Sequence, residues 1–363
     1  MRKWLIAIAV MVLSPWAVSL IWMRAAGMER EIKEMPGEWQ ANAAGTEESQ
    51  GGEDTESNPA VEAEGQAIKG EEAAKTSAEV TGRGSRESGS SENLIRRKIL
   101  VERKGIRTYI DLEDYLPGVM VCQMDRDYNL ETMKCQAVIA RTYIYRLLNG
   151  RTEIYEEELD MDYLGEGEGG VMADREKLFN RLEKCREAAE ATRGQVMKYE
   201  DRYILPLFHA ISAGRTRSGD GDFPYLQSVE SVADTKREDY METPKWSRAS
   251  FAAAINQIPG ATPVGAEQVP EQIQTVKKDD AGYVTEMKIG AGIYSGDEIW
   301  YALGLSSPCF NIEADGDSIR VRVRGKGHGY GLSQAGADSM AEAGWGYEDI
   351  LNHYYKNISL IFE

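Results

Sequence analysis

Three stretches of this chain bring together side chains that could do chemistry. In residues 130–148, Leu130, Met133, Ala137, Ala140, Ile144 and Leu148 fall on one stripe of a helical wheel, and Arg141 falls inside it. An unpaired guanidinium is costly to bury, so Arg141 must meet a carboxylate, several carbonyls or a ligand. Gln136 and Tyr143 lie on a flanking face, where helix packing explains them as well as ligand binding does. A second stretch, residues 207–216, ends a strand in His209 and runs into a small-residue turn carrying Ser212 and Arg215. Such a turn could offer backbone N–H groups and a cation to an anion or a sugar; a satisfied histidine at a strand end is the plainer reading. In the third, residues 325–334, Gly325, Gly327, Gly329 and Gly331 alternate with other residues, which lets backbone approach a ligand or another strand closely. The spacing is not that of a dinucleotide loop. His328 among these glycines is either exposed in a cleft or tightly packed, and Ser333 is placed to cap the helix that begins near Gln334.

These stretches need elements to hold them. Residues 99–110 and 195–208 read as strands with short turns, and 131–148 and 174–193 as helices, the second ended by Gly194. Residues 283–289 and 318–323 alternate apolar and polar, as half-buried strands do. Residues 333–343 and 347–355 read as helices and 358–362 as a last strand. Strands and helices mix without regular alternation. The expectation is an α+β fold over residues 96–363, one large domain with room for two lobes.

The 95 preceding residues differ in kind. Trp4 to Met23 is a twenty-residue run without a charge, preceded by Arg2 and Lys3, long enough to span a bilayer as a helix. The basic flank puts residues 1–3 in the cytoplasm and the chain beyond residue 23 outside it. A cleaved signal peptide ending near Ala25-Ala26-Gly27 is the competing reading. Residues 24–95 read as an acidic, disordered linker; between 37 and 93 there are 13 Asp+Glu and 4 Lys+Arg, half of the chain's net −18. A chain with 60 acidic and 42 basic residues is a poor general binder of nucleic acid. Four Cys make no disulfide scaffold, and three widely spaced His argue against a dedicated metal enzyme.

Taken in order, several motifs resemble the stage II sporulation protein D / amidase-enhancer family. Tyr115-Leu116-x-Gly118-Val119 leads to Gln136-Ala137-Val138-x-Ala140-Arg141-Thr142-Tyr143. Ala191-Thr192-x-Gly194-Gln195-Val196 precedes Phe208-His209, Ser212-x-Gly214-Arg215-Thr216 and Pro224-Tyr225-Leu226-x-Ser228-Val229. Ala302-Leu303-Gly304-Leu305-x-Ser307 comes next, then Gly327-His328-Gly329-x-Gly331-x-Ser333-Gln334-x-Gly336-Ala337 and Ile350-Leu351-x-x-Tyr354-Tyr355.

The resemblance implies a membrane-tethered protein acting on peptidoglycan glycan strands, facing the forespore from the mother-cell membrane during engulfment. The family's sporulation member is a lytic transglycosylase that acts after the amidase called stage II sporulation protein P. Its acid/base glutamate belongs in a Glu-Met-Pro triplet before the Gln-Ala helix; this chain has Gln123-Met124-Asp125. An amide has no proton to give, and losing a general acid removes a factor of about 10²–10⁴. The expectation is therefore a chain that binds denuded glycan and assists the amidase. The alternative is an active transglycosylase using Asp125, Asp127 or substrate assistance. Under either, Gln136, Arg141 and Tyr143 line a cleft floor. The loops with His209, Ser212 and Arg215, and with His328, Ser333 and Gln334, form its walls, and Arg215 and His328 meet acetamido or lactyl groups. Some relatives hold zinc after this helix, but residues 150–175 contain no His or Cys, so no metal and no cofactor is expected. Cys122 and Cys135 read as buried thiols, and Arg320, Arg322 and Arg324 as a solvated strand face.

Overall fold

The computed structural model describes residues 96–103, 105–164 and 172–363. The anchor and linker expected over residues 4–95 lie outside these. Among the described residues no helix is long and apolar enough to cross a membrane. The described part is α+β, with helices α1 (Leu112–Gln123), α2 (Leu130–Leu148), α3 (Met172–Ala191), α4 (Arg248–Ile255), α5 (Gly296–Leu303), α6 (Gln334–Glu342) and α7 (Tyr347–Tyr354).

Helix α2 is the hub. Asn129 caps its start by accepting from Glu131 N at 3.0 Å, and Asn149 ends it in the left-handed region at φ 46°. Its expected apolar stripe (Met133, Ala137, Ala140, Ile144, Leu148) packs with α1 and α3 in one core. Its other face (Cys135, Val138, Ile139, Tyr143) joins a second core with α6, α7 and the 204–208 segment. Burial on both faces is why so many polar residues of α2 need internal partners.

A hairpin of strands 98–103 and 106–111 covers α1, with strand 153–155 added in parallel to its first strand. Strand 195–199 lies between 202–203 and the C-terminal strand 359–362. A separate core serves residues 246–323, where α4 and α5 pack on two antiparallel sheets. In one, strand 284–289 lies between 273–278 and 292–294. In the other, 318–324 pairs with 310–315 on one side and with 241–242 and 245–247 on the other. The described residues belong to one compact unit built on several apolar cores, not two separate lobes.

No helix was expected at α1, because Pro117-Gly118 lies inside it. Asp111 caps its start by accepting from Glu113 N at 3.1 Å, and its buried face carries it through the proline. Gly118 is required: segment 159–164 crosses α1 there, and a side chain at 118 would run into the Tyr163 ring and the Leu164 carbonyl. Helix α5 had a legible signal in the Ser295-x-x-Glu298 capping box.

Candidate functional site

The two histidine-bearing stretches do not face each other as walls. They are zipped together. Leu332–Ser333 pairs in parallel with Phe208–His209. Ile211 and Lys326 exchange backbone bonds of 3.1 and 2.7 Å, and Arg217 N donates to Gly329 O at 2.8 Å. The alternating glycines permit this. Gly329 (φ 86°) lies against the Tyr283 ring and Gly331 (φ 67°) against the Leu207 carbonyl, where no Cβ fits.

Both histidines are fully buried, with ring centroids 5.8 Å apart. The Tyr330 peptide sets their tautomers. Its carbonyl lies 3.0 Å from His209 Nδ1, which must donate, and its N–H donates to His328 Nδ1 at 2.9 Å. His209 Nε2 is then an acceptor and has no protein partner. Burial pushes the His209 pKa down to about 4 against the pull of the Tyr330 carbonyl. Burial, then His209, then Arg217 drive His328 well below the ordinary range. Neither is a cation on a cleft wall, so His328 takes the tightly packed alternative.

Asp234, in the 3-10 turn Val232–Lys236, ties these loops together from below. Its Oδ2 accepts from Ser212 N at 2.8 Å and from Ser333 Oγ at 2.7 Å. Ser333 Oγ in turn accepts from Gly336 N at 3.2 Å, so the expected helix cap forms. Burial raises the Asp234 pKa, and its hydrogen bonds to Ser212, Ser333 and Ser231 offset only part of that rise. Nothing near Asp234 in sequence marked it.

Beside Ser333 lies a cluster of three buried glutamines. Gln136 Nε2 donates to Gln123 Oε1 at 2.7 Å. Gln334 Nε2 donates to the Gln123 carbonyl at 3.0 Å and to Gln136 Oε1 at 3.2 Å. Gln123 Nε2 has no protein partner. Gln123 and Gln136 therefore meet the third stretch through Gln334.

Three expected site residues lie elsewhere. Arg141 is fully buried, and each of its nitrogens has a protein partner. It holds Glu113 through two bonds of 2.8 and 2.7 Å and donates to Ala189 O, Gln195 O and Thr192 Oγ1 at 3.0, 3.1 and 3.3 Å. Of the alternatives for this guanidinium, carboxylate and carbonyls are what it meets, not a cleft floor. Tyr143 is a core residue, 1% exposed. Arg215 is on the surface, paired with Glu230 at 2.9 Å. The buried arginine of that stretch is Arg217, 2.9 Å from Asp279 and stacked on the Tyr330 ring at 4.5 Å. Arg320 and Arg322 pair with Asp315 and Glu313 at the surface.

The carboxylates near position 123 are engaged. Asp125 takes two bonds of 3.0 Å from Arg126 and one of 2.9 Å from the Tyr128 hydroxyl. Burial works to raise its pKa, but Arg126 and Tyr128 outweigh it and hold the carboxyl below its ordinary range. Asp127 is paired with Lys184 at 2.6 Å. An open cavity of about 310 Å³ lies instead against segment 156–163, lined by Arg103, Glu156, Glu157, Asp160, Met161, Asp162 and Tyr163. None of the expected site residues lines it. Among the described residues no group of three or more His, Cys, Asp or Glu is arranged to hold a metal ion.

The family model described as Stage II sporulation protein matches residues 102–199, which span α1, α2, α3 and the Glu113–Arg141 clasp. The chain is 28% identical over 269 residues to the Stage II sporulation protein D of Bacillus amyloliquefaciens, covering 69% of this chain and 74% of that protein. It is 27% identical over 275 residues to the Stage II sporulation protein D of Bacillus subtilis (strain 168), with the same coverage. An uncharacterised protein of Brachyspira hyodysenteriae is 27% identical over 261 residues, covering 69% of this chain and 67% of that protein.

Proposed function

From the stage II sporulation protein D family, which both comparisons support together with a role in sporulation, we propose that this chain binds peptidoglycan glycan strands without cutting them. In this reading it works during engulfment, tethered through residues 4–23 to the mother-cell membrane, and assists an amidase of the stage II sporulation protein P type. The carrying observation is the state of residue 123. Where the resemblance places a proton donor there is an amide, its oxygen held by Gln136 and the residue's backbone carbonyl by Gln334, with no protein acceptor for its NH₂ group. An amide there can donate a hydrogen bond to a sugar hydroxyl or acetamido oxygen only where the cluster opens to admit one, because the residue is buried. It cannot protonate a glycosidic oxygen.

Asp125 and Asp127 are poor replacements, since each is committed to a cation and Asp125 is held ionised. One observation favours the second reading, an active transglycosylase. Asp234 is a buried carboxyl whose pKa is raised, and it touches Ser333 beside the glutamine cluster. Glycan strands freed of stem peptides test both readings. The native chain should bind them and release no anhydro-muramyl ends, and Gln123→Glu should begin to release them. Products from the native chain that vanish in Asp234→Asn would replace the first reading with the second. Failure of the native chain to bind would sink both.

A further inference from the structure

The geometry points to Cys122 and Cys185 as a dithiol that closes into a disulfide by exchange with a small-molecule disulfide, fastening α1 to α3 beside Gln123.

The two helices run antiparallel, and their register is fixed from both ends. At the start of α1, Glu113 Oε1 accepts from Gly194 N, just beyond α3, at 3.3 Å. At the end of α1, Arg181 of α3 donates to Val121 O at 3.0 Å and to Met124 O. Both helices rise about 1.5 Å per residue; counting inward from the Glu113–Gly194 contact brings residue 122 opposite residue 185, while the Arg181 contacts, made through a long side chain, bring it opposite residues 180–183, within about a turn and a half of the same place. Ala188 and Ala189 are buried on the same face of α3 and let the helices approach closely. Both cysteines belong to one apolar core; Cys185 is 1% exposed, while Cys122 is half-buried and reachable. The other two thiols sit elsewhere. Cys135 donates to Tyr347 O at 3.5 Å and Cys309 to Gly282 O at 3.2 Å.

The exchange balances. Cys122 loses its proton to solvent, and its thiolate attacks one sulfur of the external disulfide. That disulfide's S–S bond breaks, and one thiolate leaves and takes up a proton. Cys185, deprotonated in turn, attacks the Cys122 sulfur and expels the second thiol. Two electrons pass from the protein thiols to the reagent. Burial pushes both thiols up to about 12, and Cys185 adds a minor further rise to Cys122. The thiolate fraction, and with it the rate, should therefore rise about tenfold per pH unit between pH 7 and 9.

The test takes the full chain, reduced, with oxidised glutathione as the probe. Free thiols should fall from four to two, and non-reducing peptide mass spectrometry should show one Cys122–Cys185 linkage. Cys122→Ser and, separately, Cys185→Ala should each abolish that linkage. The melting temperature should rise on oxidation of the native chain and not of the Cys122→Ser chain. Four thiols persisting at pH 9, or a linkage through Cys135 or Cys309, would overturn the assignment. So would a Cys122–Cys185 linkage that forms only in denaturant.

Discussion

Lowering the pH from 7 to 4 should destabilise this protein mainly through its buried histidines. His209 has its Nδ1 on the Tyr330 carbonyl, an unpartnered Nε2, and no carboxylate to compensate a charge. Its folded pKa of about 4 lies 2.5 units below the ordinary 6.5, which at 1.36 kcal/mol per unit is about 3 kcal/mol. The sign depends on which state binds the proton. Below pH 6.5 the unfolded chain protonates this ring and the folded chain does not. The contribution is therefore complete above pH 6.5, falls as the pH drops towards 4, and is gone below that. His328 shifts in the same direction and adds to the slope. Asp234 works against it, since a raised carboxyl pKa favours the folded state at low pH. Asp239 sits outside the window: burial works to raise its pKa, but Lys326 and Arg126 outweigh that and hold it at about 2.

Urea unfolding at half-unit intervals from pH 7.5 to 4 measures the slope. The variant His209→Asn sets an amide nitrogen where Nδ1 donates to Tyr330 but cannot titrate. It should cost stability at pH 7.5 and remove up to one proton's worth of slope, about 1.4 kcal/mol per pH unit. A His209→Asn chain with the native slope, or a His209 ring that titrates near 6.5 by NMR, would refute the reasoning.

Other substitutions probe the same geometry. Arg141→Ala leaves the part-buried Glu113 carboxylate with only the Gly194 N–H and should cost about 3 kcal/mol in urea unfolding, whereas Glu113→Gln with Arg141→Met should cost clearly less than the two single changes summed. An Arg141→Ala chain of native stability that had lost glycan binding would restore Arg141 as a ligand residue. Ser333→Ala removes both the cap on α6 and a bond to Asp234, and should cost about 2–3 kcal/mol by the same measurement.

Local signals carried much of the fold. The α2 stripe, the Gly194 stop after α3, the alternation in 318–323 and the Ser333 cap are each written within a few residues, and each formed, whereas the strand expected over 283–289 formed with its alternation broken by a register shift. The helix α1 went unread because it contains Pro-Gly, and the eight-residue α4 and α5 also went unread although α7, equally short, did not.

That Arg141 needed partners, that Ser333 would begin a helix, and that position 123 carries an amide were all legible before any fold was known. Those are properties of one residue and its near neighbours. The identity of the partners came only with the folded chain. Glu113 is 28 residues from Arg141, Asp234 is 99 from Ser333, and Gln334 is 211 from Gln123. Such pairs form because burying a charge or an amide obliges the fold to supply a counterpart, and no spacing along the chain records which segment will supply it.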